Sequence, residues 1–297
     1  MSMFKKIISF IAYLCVTTLV CAETIRVYDV VVPFSAGGAS DVLFRAIEPK
    51  LNERLQPHQI KLIVKNMPGA GGNIGLSKTI SNNELTFGFF SPFFAINKSM
   101  KVDSDYDYNS VNFLNFAGFN KMVIVSGMHT DLKLLRDACV KNKSISFGSS
   151  GVGSTSHLSS YYYATKYLNC KDIVSVPYKG VSMVYPDLKA GRLDFMADFS
   201  ISVEHFINTK YFNRIEEIKE NDLTSWHIFV SNKVDNKDAE IVKNMFDALK
   251  ADNQFVKNIE NRFQIYKFSE NKDQIWLKGQ FNTYRTVIES LPKSSTN

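Results

Sequence analysis

Short apolar runs alternate along the chain with segments in which apolar residues recur every three or four positions. The β-branched run 25–33 is typical of a buried strand, and the apolar spacing over 41–55 predicts a helix. Pro49 lies inside this helix, so a kink or an early break is expected there. The same patterns predict two more strands with a short helix between them, at 60–65, 85–90 and 73–81. Consecutive strand–helix–strand units predict parallel strands with right-handed crossovers.

A second series of elements begins near Met122. Its predicted strands lie at 122–126, 144–148, 173–177 and 193–199, and its predicted helices at 132–141, 154–168 and 181–190. From Trp226 one strand precedes three predicted helices, at 238–250, 254–263 and 273–291. A crossover between the two series is expected within 106–118. The chain is therefore predicted to form two α/β lobes, with lobe 1 at 23–115, lobe 2 at 116–225 and a mostly helical return to lobe 1 at 226–297.

The first 22 residues have the pattern of a secretory signal peptide. Lys5 and Lys6 precede the uncharged apolar run 7–20, and cleavage is expected after Ala22. The run is short for a membrane span, which disfavours an uncleaved anchor. A lipoprotein signal at Cys21 is a further alternative, but the residues before it match a lipobox poorly. The expected location is therefore the periplasm, across the inner membrane.

Composition narrows the class of protein. The chain has 297 residues, 45% of them hydrophobic, and a net charge of +6 that falls to +4 without Lys5 and Lys6. No basic stripe with interleaved aromatic residues is present, so nucleic acid is not an expected partner. Cys139 and Cys170 would remain after cleavage, and the sequence leaves open whether they form a disulfide or stay as thiols. Their spacing does not suit a metal site, and no cofactor is expected.

Two glycine- and serine-rich loops each follow a predicted strand and open a helix. The first spans 33–41, and the second, 148–157, combines three glycines with five hydroxyl side chains. Backbone N–H groups in such loops, with the positive end of the helix dipole, form an anion site. Simple capping of the helix, by Ser40 or Asp41 in the first loop, is the structural alternative.

Several enzyme motifs are absent from these loops. Neither loop completes a P-loop or a G-x-G-x-x-G fingerprint, and no G-x-S-x-G elbow occurs. His157 lies near several serines, which raises the alternative of an exported Ser/His hydrolase. The pair lacks an evident elbow and an identified orienting acid, so a hydrolase is the less favoured alternative and an enzyme is not expected.

Motifs spread over nearly the whole mature chain resemble the substrate-binding proteins of tripartite tricarboxylate transporters, the Bug-type receptors. They occur in the order found in that family: 32–41 VPFSAGGASD, 66–75 NMPGAGGNIG, 151–158 GVGSTSHL, 176–180 VPYKG, with weaker matches at 191–198 GRLDFMAD and 225–226 SW. Any one motif could arise by chance, whereas the ordered set is specific.

The resemblance implies a type II periplasmic binding-protein fold that closes on a small carboxylate between two lobes. It also implies integral-membrane transporter subunits as partners. The ligand-binding residues it implies are Phe34, Ser35, Ala36, Gly37, Gly38, Ser40, Ser91, Phe93, Ser149, Gly151, Gly153, Ser154, Thr155, His157, Tyr178 and Asp198. Asp198 could meet an amino group on a ligand or could be a structural residue at a strand end.

The sequence also departs from the family pattern. Only 27 residues separate Asp198 from Trp226, so a strand and a loop of lobe 2 are expected to be shortened or absent. The segment 82–86 replaces the usual turn before the third strand. These differences keep open a second function, in which the same fold serves as a sensory or interaction protein without transport.

Overall fold

The structure is a computed structural model that describes residues 24–100, 110–141, 144–218, 225–233, 236–263 and 265–291. The predicted signal peptide lies outside these ranges. The strands are β1 Arg26–Val32, β2 Ile60–Asn66, β3 Phe87–Phe90, β4 Asn112–Asn120, β5 Met122–Ser126, β6 Ile145–Ser149, β7 Ile173–Pro177, β8 Met196–Phe199, β9 Asn213–Glu217, β10 Ser225–Ser231 and β11 Ile265–Tyr266. The helices are α1 Ala39–Leu55, α2 Asn73–Ser81, α3 Phe93–Ser99, α4 Leu132–Val140, α5 Thr155–Lys166, α6 Val181–Lys189, α7 Ser200–Asn208, α8 Lys237–Lys250, α9 Asn253–Phe263 and α10 Gln274–Glu289.

Lobe 1 is built on a sheet with the strand order β11-β4-β10-β3-β1-β2. β1 pairs in parallel with β2 and β3, which confirms the predicted strand–helix–strand units, and β10 pairs antiparallel with β3 and β4. Helix α1 packs its apolar face on this sheet, where the Phe44 ring contacts those of Phe89 and Phe229. The predicted apolar positions of α1 are fully buried: Leu43, Ile47, Leu51 and Leu55.

Lobe 2 contains a three-stranded sheet, β8-β5-β9, and a parallel pair, β6-β7. A parallel bridge between Phe147 and Phe195 joins the pair to the sheet. The core of the lobe packs aromatic rings between these strands and α5, including those of Phe147, Tyr163 and Phe195. Cys139, at the end of α4, forms a disulfide with Cys170. The structure therefore settles the alternative that the sequence left open.

The chain crosses twice between the lobe 1 and lobe 2 sheets. β4 belongs to the lobe 1 sheet and β5 to the lobe 2 sheet, so the first crossover is at Lys121, a few residues beyond the predicted 106–118. The second lies between β9 and β10. Helix α1 runs unbroken through Pro49 to Leu55, so the expected early break does not occur.

The segment between Asp198 and Trp226 is more complete than predicted. It contains helix α7 and strand β9, and β9 pairs antiparallel with β5 at the edge of the lobe 2 sheet. Of the two expected outcomes, a shortened or an absent strand, absence is excluded, because a strand of five residues is present. Arg214 and Glu216, at alternating positions of β9, carry charges and interrupt the apolar pattern by which a strand is predicted.

Candidate functional site

A cavity lies between the two lobes and is lined by residues from both. Its walls are formed by Phe34, Gly38, Ala39, Ser40 and Ser91 of lobe 1 and by Ser150, Thr155, Ser156, Val181, Asp198 and Phe199 of lobe 2. The space between these residues, with its opening to solvent included, is about 340 Å³, and the centre of a water molecule fits in about 20 Å³. Because one water needs roughly 10–15 Å³ by that measure, the lobes approach each other closely here.

The lobe 1 loop is held in place by a buried carboxylate. Asp41 accepts hydrogen bonds from the backbone N–H of Gly37 at 2.9 Å, from Arg45 Nε at 2.8 Å and from Asn66 Nδ2 at 2.9 Å. The Asn66 amide also donates to the carbonyl oxygen of Phe34. This network fixes the turn so that the first turn of α1 faces the cavity. Gly38 is the N-cap of α1, and no side chain caps it.

The lobe 2 loop is organised by its own hydroxyl groups. Ser154 caps α5 by accepting a hydrogen bond from the N–H of His157. The Ser156 hydroxyl accepts from the N–H of Ser150 at 3.0 Å and lies 3.0 Å from the Ser150 hydroxyl. The hydroxyl of Thr155 is buried and has no partner, although Thr155 lines the cavity. Buried polar groups normally have partners, so this one is available to a ligand.

Four helices begin on the wall of this one cavity. In addition to α1 and α5, helix α6 starts at Val181 after Gly180, and α7 starts after Phe199. Neither Gly180 nor Phe199 caps its helix with a side chain. The first N–H groups of a helix have no partner within it, and they carry partial positive charge. The helix ends therefore direct partial positive charge towards the cavity, although the described lining residues include no Lys, Arg or His.

Asp198 is an acidic residue of this wall, and its charge when ionised opposes the partial positive charge of the helix ends. Asp198 is buried in the wall, where Tyr185 donates a hydrogen bond to Oδ2 and the N–H of Phe199 donates to Oδ1, both at 2.8 Å. Burial raises the pKa of Asp198 to about 7, although both hydrogen bonds act in the opposite direction. The carboxyl group therefore gains or loses its proton near neutral pH.

Two buried histidines lie near the cavity, and both are neutral. Burial lowers the pKa of His157 to about 4 and that of His227 to about 3. Nδ1 of His157 has no hydrogen-bond partner among the residues that the structure describes, and the ring packs on that of Phe147. The pairing that a Ser/His hydrolase requires is therefore not formed at His157.

The lobes touch each other on both sides of the cavity. A Cβ added at Gly71 would lie 2.0 Å from the carbonyl oxygen of Val152, and one added at Gly180 would lie 2.3 Å from Ser35 Oγ. The Ser182 hydroxyl donates to that of Ser35 at 3.2 Å. Backbone approach as close as this at Gly71 requires glycine. Together these contacts bring the two lobes together around the cavity.

The structure brings six of the residues predicted for the site together on the cavity wall: Phe34, Gly38, Ser40, Ser91, Thr155 and Asp198. The others lie outside the wall: Ser35, Ala36, Gly37, Phe93, Ser149, Gly151, Gly153, Ser154, His157 and Tyr178. Phe93 packs edge-on against Phe34 in the lobe 1 core, and the hydroxyl of Tyr178 donates to Asp187. Ser35 and Gly151 instead lie at the contacts between the lobes.

Sequence analysis missed five wall residues: Ala39, Ser150, Ser156, Val181 and Phe199. Ala39 and Val181 are the first residues of helices that follow glycines, and this position was the signal that could have identified them. Within the described ranges, no cluster of three metal-ligating side chains occurs. Nor is any helix of those ranges long and apolar enough to cross a membrane.

Comparison with known sequences gives partial matches. No protein-family model matches this chain. It is 30% identical over 183 residues to a UPF0065 protein in the tcbD-tcbE intergenic region of Pseudomonas sp. strain P51, which covers 57% of this chain and 51% of the relative. A second UPF0065 protein, from Agrobacterium vitis, is 26% identical over 69% of this chain and 57% of its own length. The match thus spans little more than half the length of these relatives.

Comparison with solved structures covers most of the chain. The periplasmic binding protein BugD superposes with a TM-score of 0.79 at 20% identity, over 89% of this chain and 97% of BugD. MatC from Rhodopseudomonas palustris, with bound malate, gives 0.76 at 14% identity over 89% and 99% of the two chains. Rpa4515 of R. palustris, with adipate, gives 0.75 at 20% identity over 89% and 96%. The chain therefore has the periplasmic binding-protein fold, and its resemblance to Bug-type receptors is confirmed.

Proposed function

We propose that this chain is an extracytoplasmic receptor that captures a small carboxylate between its two lobes. The observation that carries the proposal is the convergence of four helix N-termini on one cavity between the lobes. Partial positive charge from both lobes acts on the same small volume, and an anion there is bound by backbone N–H groups. Only an anion that bridges the lobes makes both sets of contacts.

Neutral donors would hold the ligand in this cavity. Hydroxyl groups of Ser40 and Thr155 lie on opposite lobes, and that of Thr155 has no protein partner. Hydrogen bonds to a charged acceptor are stronger than those between neutral groups. The ligand stabilises the closed arrangement through contacts that exist only when the lobes meet. Since about 20 Å³ is accessible to water centres, the lobes must separate to admit an acid.

The proposed role of this chain in transport is supported by the solved structures that it resembles. MatC was solved with malate and Rpa4515 with adipate, both dicarboxylic acids. BugD is a periplasmic binding protein. By analogy this chain is exported to the periplasm after cleavage near Ala22, and a membrane transporter of the tripartite tricarboxylate type recognises its closed form. By the same analogy with binding proteins, the chain acts by binding and not by catalysis.

Calorimetric titration of residues 23–297 tests the proposal. The panel contains mono-, di- and tricarboxylates, aromatic acids and acidic amino acids, and each acid has its primary amide as a control. We expect at least one acid to bind and its amide to bind at least tenfold more weakly. Thr155→Val keeps the shape of the side chain but removes its hydroxyl, and should weaken binding. Absence of heat with every acid, from a folded sample, would contradict the proposal.

A further inference from the structure

Behind the cavity wall, a buried histidine contacts one of the lining hydroxyl groups. His227 is in β10, is completely buried, and places its Nε2 3.2 Å from the hydroxyl oxygen of Ser40. Ser40 is itself only 2% exposed and lines the cavity. His227 is not among the lining residues, and its hydrogen bond to Ser40 is the polar contact that connects it to the cavity.

Packing on both faces holds the His227 ring in one orientation. The ring of Phe89 stacks on it with centroids 5.4 Å apart and an interplanar angle of 12°. The ring of Phe199, from lobe 2, also packs on the His227 ring, with the two centroids 5.3 Å apart. Phe199 is itself a lining residue. A side chain locked by neighbours in this way can hold a binding group in a fixed geometry.

The hydrogen-bond inventory selects one tautomer of this ring. His227 is neutral, because burial lowers its pKa to about 3. Its Nδ1 is buried without a partner. A proton on Nδ1 would leave a buried donor unsatisfied, and orphaned buried N–H groups are rarer than under-satisfied acceptors. The proton therefore lies on Nε2, and that N–H donates to the oxygen of Ser40.

We infer that His227 is a positioning residue that commits the Ser40 hydroxyl to donate its hydrogen into the cavity. A hydroxyl has one hydrogen, so Ser40 that accepts from His227 is oriented to donate to a ligand oxygen. This arrangement favours an unprotonated carboxylate over a ligand group that can only donate. The inference rests on the proposed function, because it names a determinant of selectivity in the same site.

Two variants of His227 distinguish its effect on the orientation of the Ser40 hydroxyl from its effect on the packing of the neighbouring rings. His227→Phe keeps an aromatic ring between Phe89 and Phe199 but removes the donor, and His227→Gln keeps an N–H donor on the side chain. We expect the Phe variant to bind the acid about tenfold more weakly than wild type, and the Gln variant to stay within about threefold. In a Ser40→Ala background the two variants should bind equally.

A spectroscopic readout on the ligand-free protein tests the tautomer by itself. Ring ¹⁵N resonances distinguish a protonated from a bare nitrogen, and comparison with His227→Gln assigns those of His227. We expect the proton on Nε2 at pH 7. The inference is overturned if the proton is on Nδ1, if His227→Phe binds like wild type, or if its loss persists in the Ser40→Ala background. Failure of wild type to bind any acid would instead overturn the proposed function, so the two failures are distinguishable.

Discussion

The hydroxyl of Tyr185 donates a hydrogen bond of 2.8 Å to Oδ2 of Asp198; both side chains are buried, and Asp198 lines the cavity. Asp198, an acidic residue of the cavity wall, lies where four helix N-termini converge. A carboxylate ligand and an ionised Asp198 would repel each other within a small volume of low dielectric. The protonation of Asp198 is therefore linked both to folding and to ligand charge.

Stability should fall as the pH rises through the range in which Asp198 loses its proton. The pKa of Asp198 is raised from 3.8 to about 7 in the folded chain. The contribution of Asp198 to the free energy of unfolding is therefore fully present below pH 4 and is lost as the pH rises to about 7. The loss relative to Asp198→Asn should be on the order of 4 kcal/mol. Urea unfolding at half-unit steps from pH 4 to 8 measures it.

Tyr185→Phe provides the matched control for that experiment. The hydrogen bond from Tyr185 lowers the pKa of Asp198, so removing it should move the loss of stability to higher pH. A wild-type profile parallel to that of Asp198→Asn over the whole range would show that Asp198 titrates normally and would contradict this interpretation.

The affinity for an anionic ligand should depend on the same proton. Below about pH 7 Asp198 is neutral and does not oppose a carboxylate, whereas above it the repulsion weakens binding. We expect the dissociation constant of a simple dicarboxylate to rise between pH 7 and 9 in wild type and to stay constant in Asp198→Asn. An acid that carries an ammonium group should show the opposite trend. Calorimetry at fixed ionic strength measures both.

Closure of the lobes should depend on the absence of a side chain at Gly71. A Cβ there would lie 2.0 Å from the Val152 carbonyl oxygen of the other lobe, so Gly71→Ala must hold the lobes apart. We expect at least tenfold weaker binding of the acid, because the contacts from the second lobe are lost. Calorimetry gives the affinity, and small-angle scattering with ligand should show a larger radius of gyration than wild type.

Gly37→Ala is the matched control for this effect. Gly37 has a left-handed φ of +80°, compared with +59° at Gly71, but nothing lies within 4 Å of its added Cβ. Both substitutions should therefore cost about 1–2 kcal/mol of stability through backbone strain. Only Gly71→Ala should also impair closure, and equal affinities in the two variants would show that the contact at Val152 does not limit it.

The disulfide between Cys139 and Cys170 should stabilise lobe 2 without contributing to the site. The two cysteines are 31 positions apart, and a cross-link of that span restricts the unfolded chain by about 3–4 kcal/mol. Cys139→Ser with Cys170→Ser should lower the free energy of unfolding by an amount of this size. The affinity for the acid should stay unchanged, because neither residue lines the cavity. A large change in affinity would show that lobe 2 depends on the cross-link for its geometry.

The strand and helix pattern of the sequence predicted most elements because buried faces impose regular spacing. The helix 73–81 and the strands 122–126 and 173–177 were predicted with the boundaries that the structure has. Strand β4 was missed because asparagines interrupt its apolar pattern. Asn115 is buried there and donates to Asp247, an arrangement that only tertiary contacts reveal.

The site was predicted less completely than the fold. Both loops could be identified from glycine and serine, since these residues suit turns that expose backbone N–H groups. Which side chains face the cavity depends on how the lobes approach each other. Val181 reaches the wall because α6 begins there, next to the contact between Gly180 and Ser35. His227 could not be predicted, because its role depends on a hydrogen bond to Ser40, 187 positions away, that the sequence pattern does not indicate.

The most direct test of the central claim follows individual backbone amides during titration with an acid. We would add malate, adipate and the remaining acids to ¹⁵N-labelled protein and follow Ala39, Ser40, Thr155 and Ser156. The account predicts that one acid shifts these amides of both lobes with a single dissociation constant, while its primary amide leaves them unchanged. Shifts confined to one lobe, or none at all with any acid, would contradict a carboxylate held between the lobes.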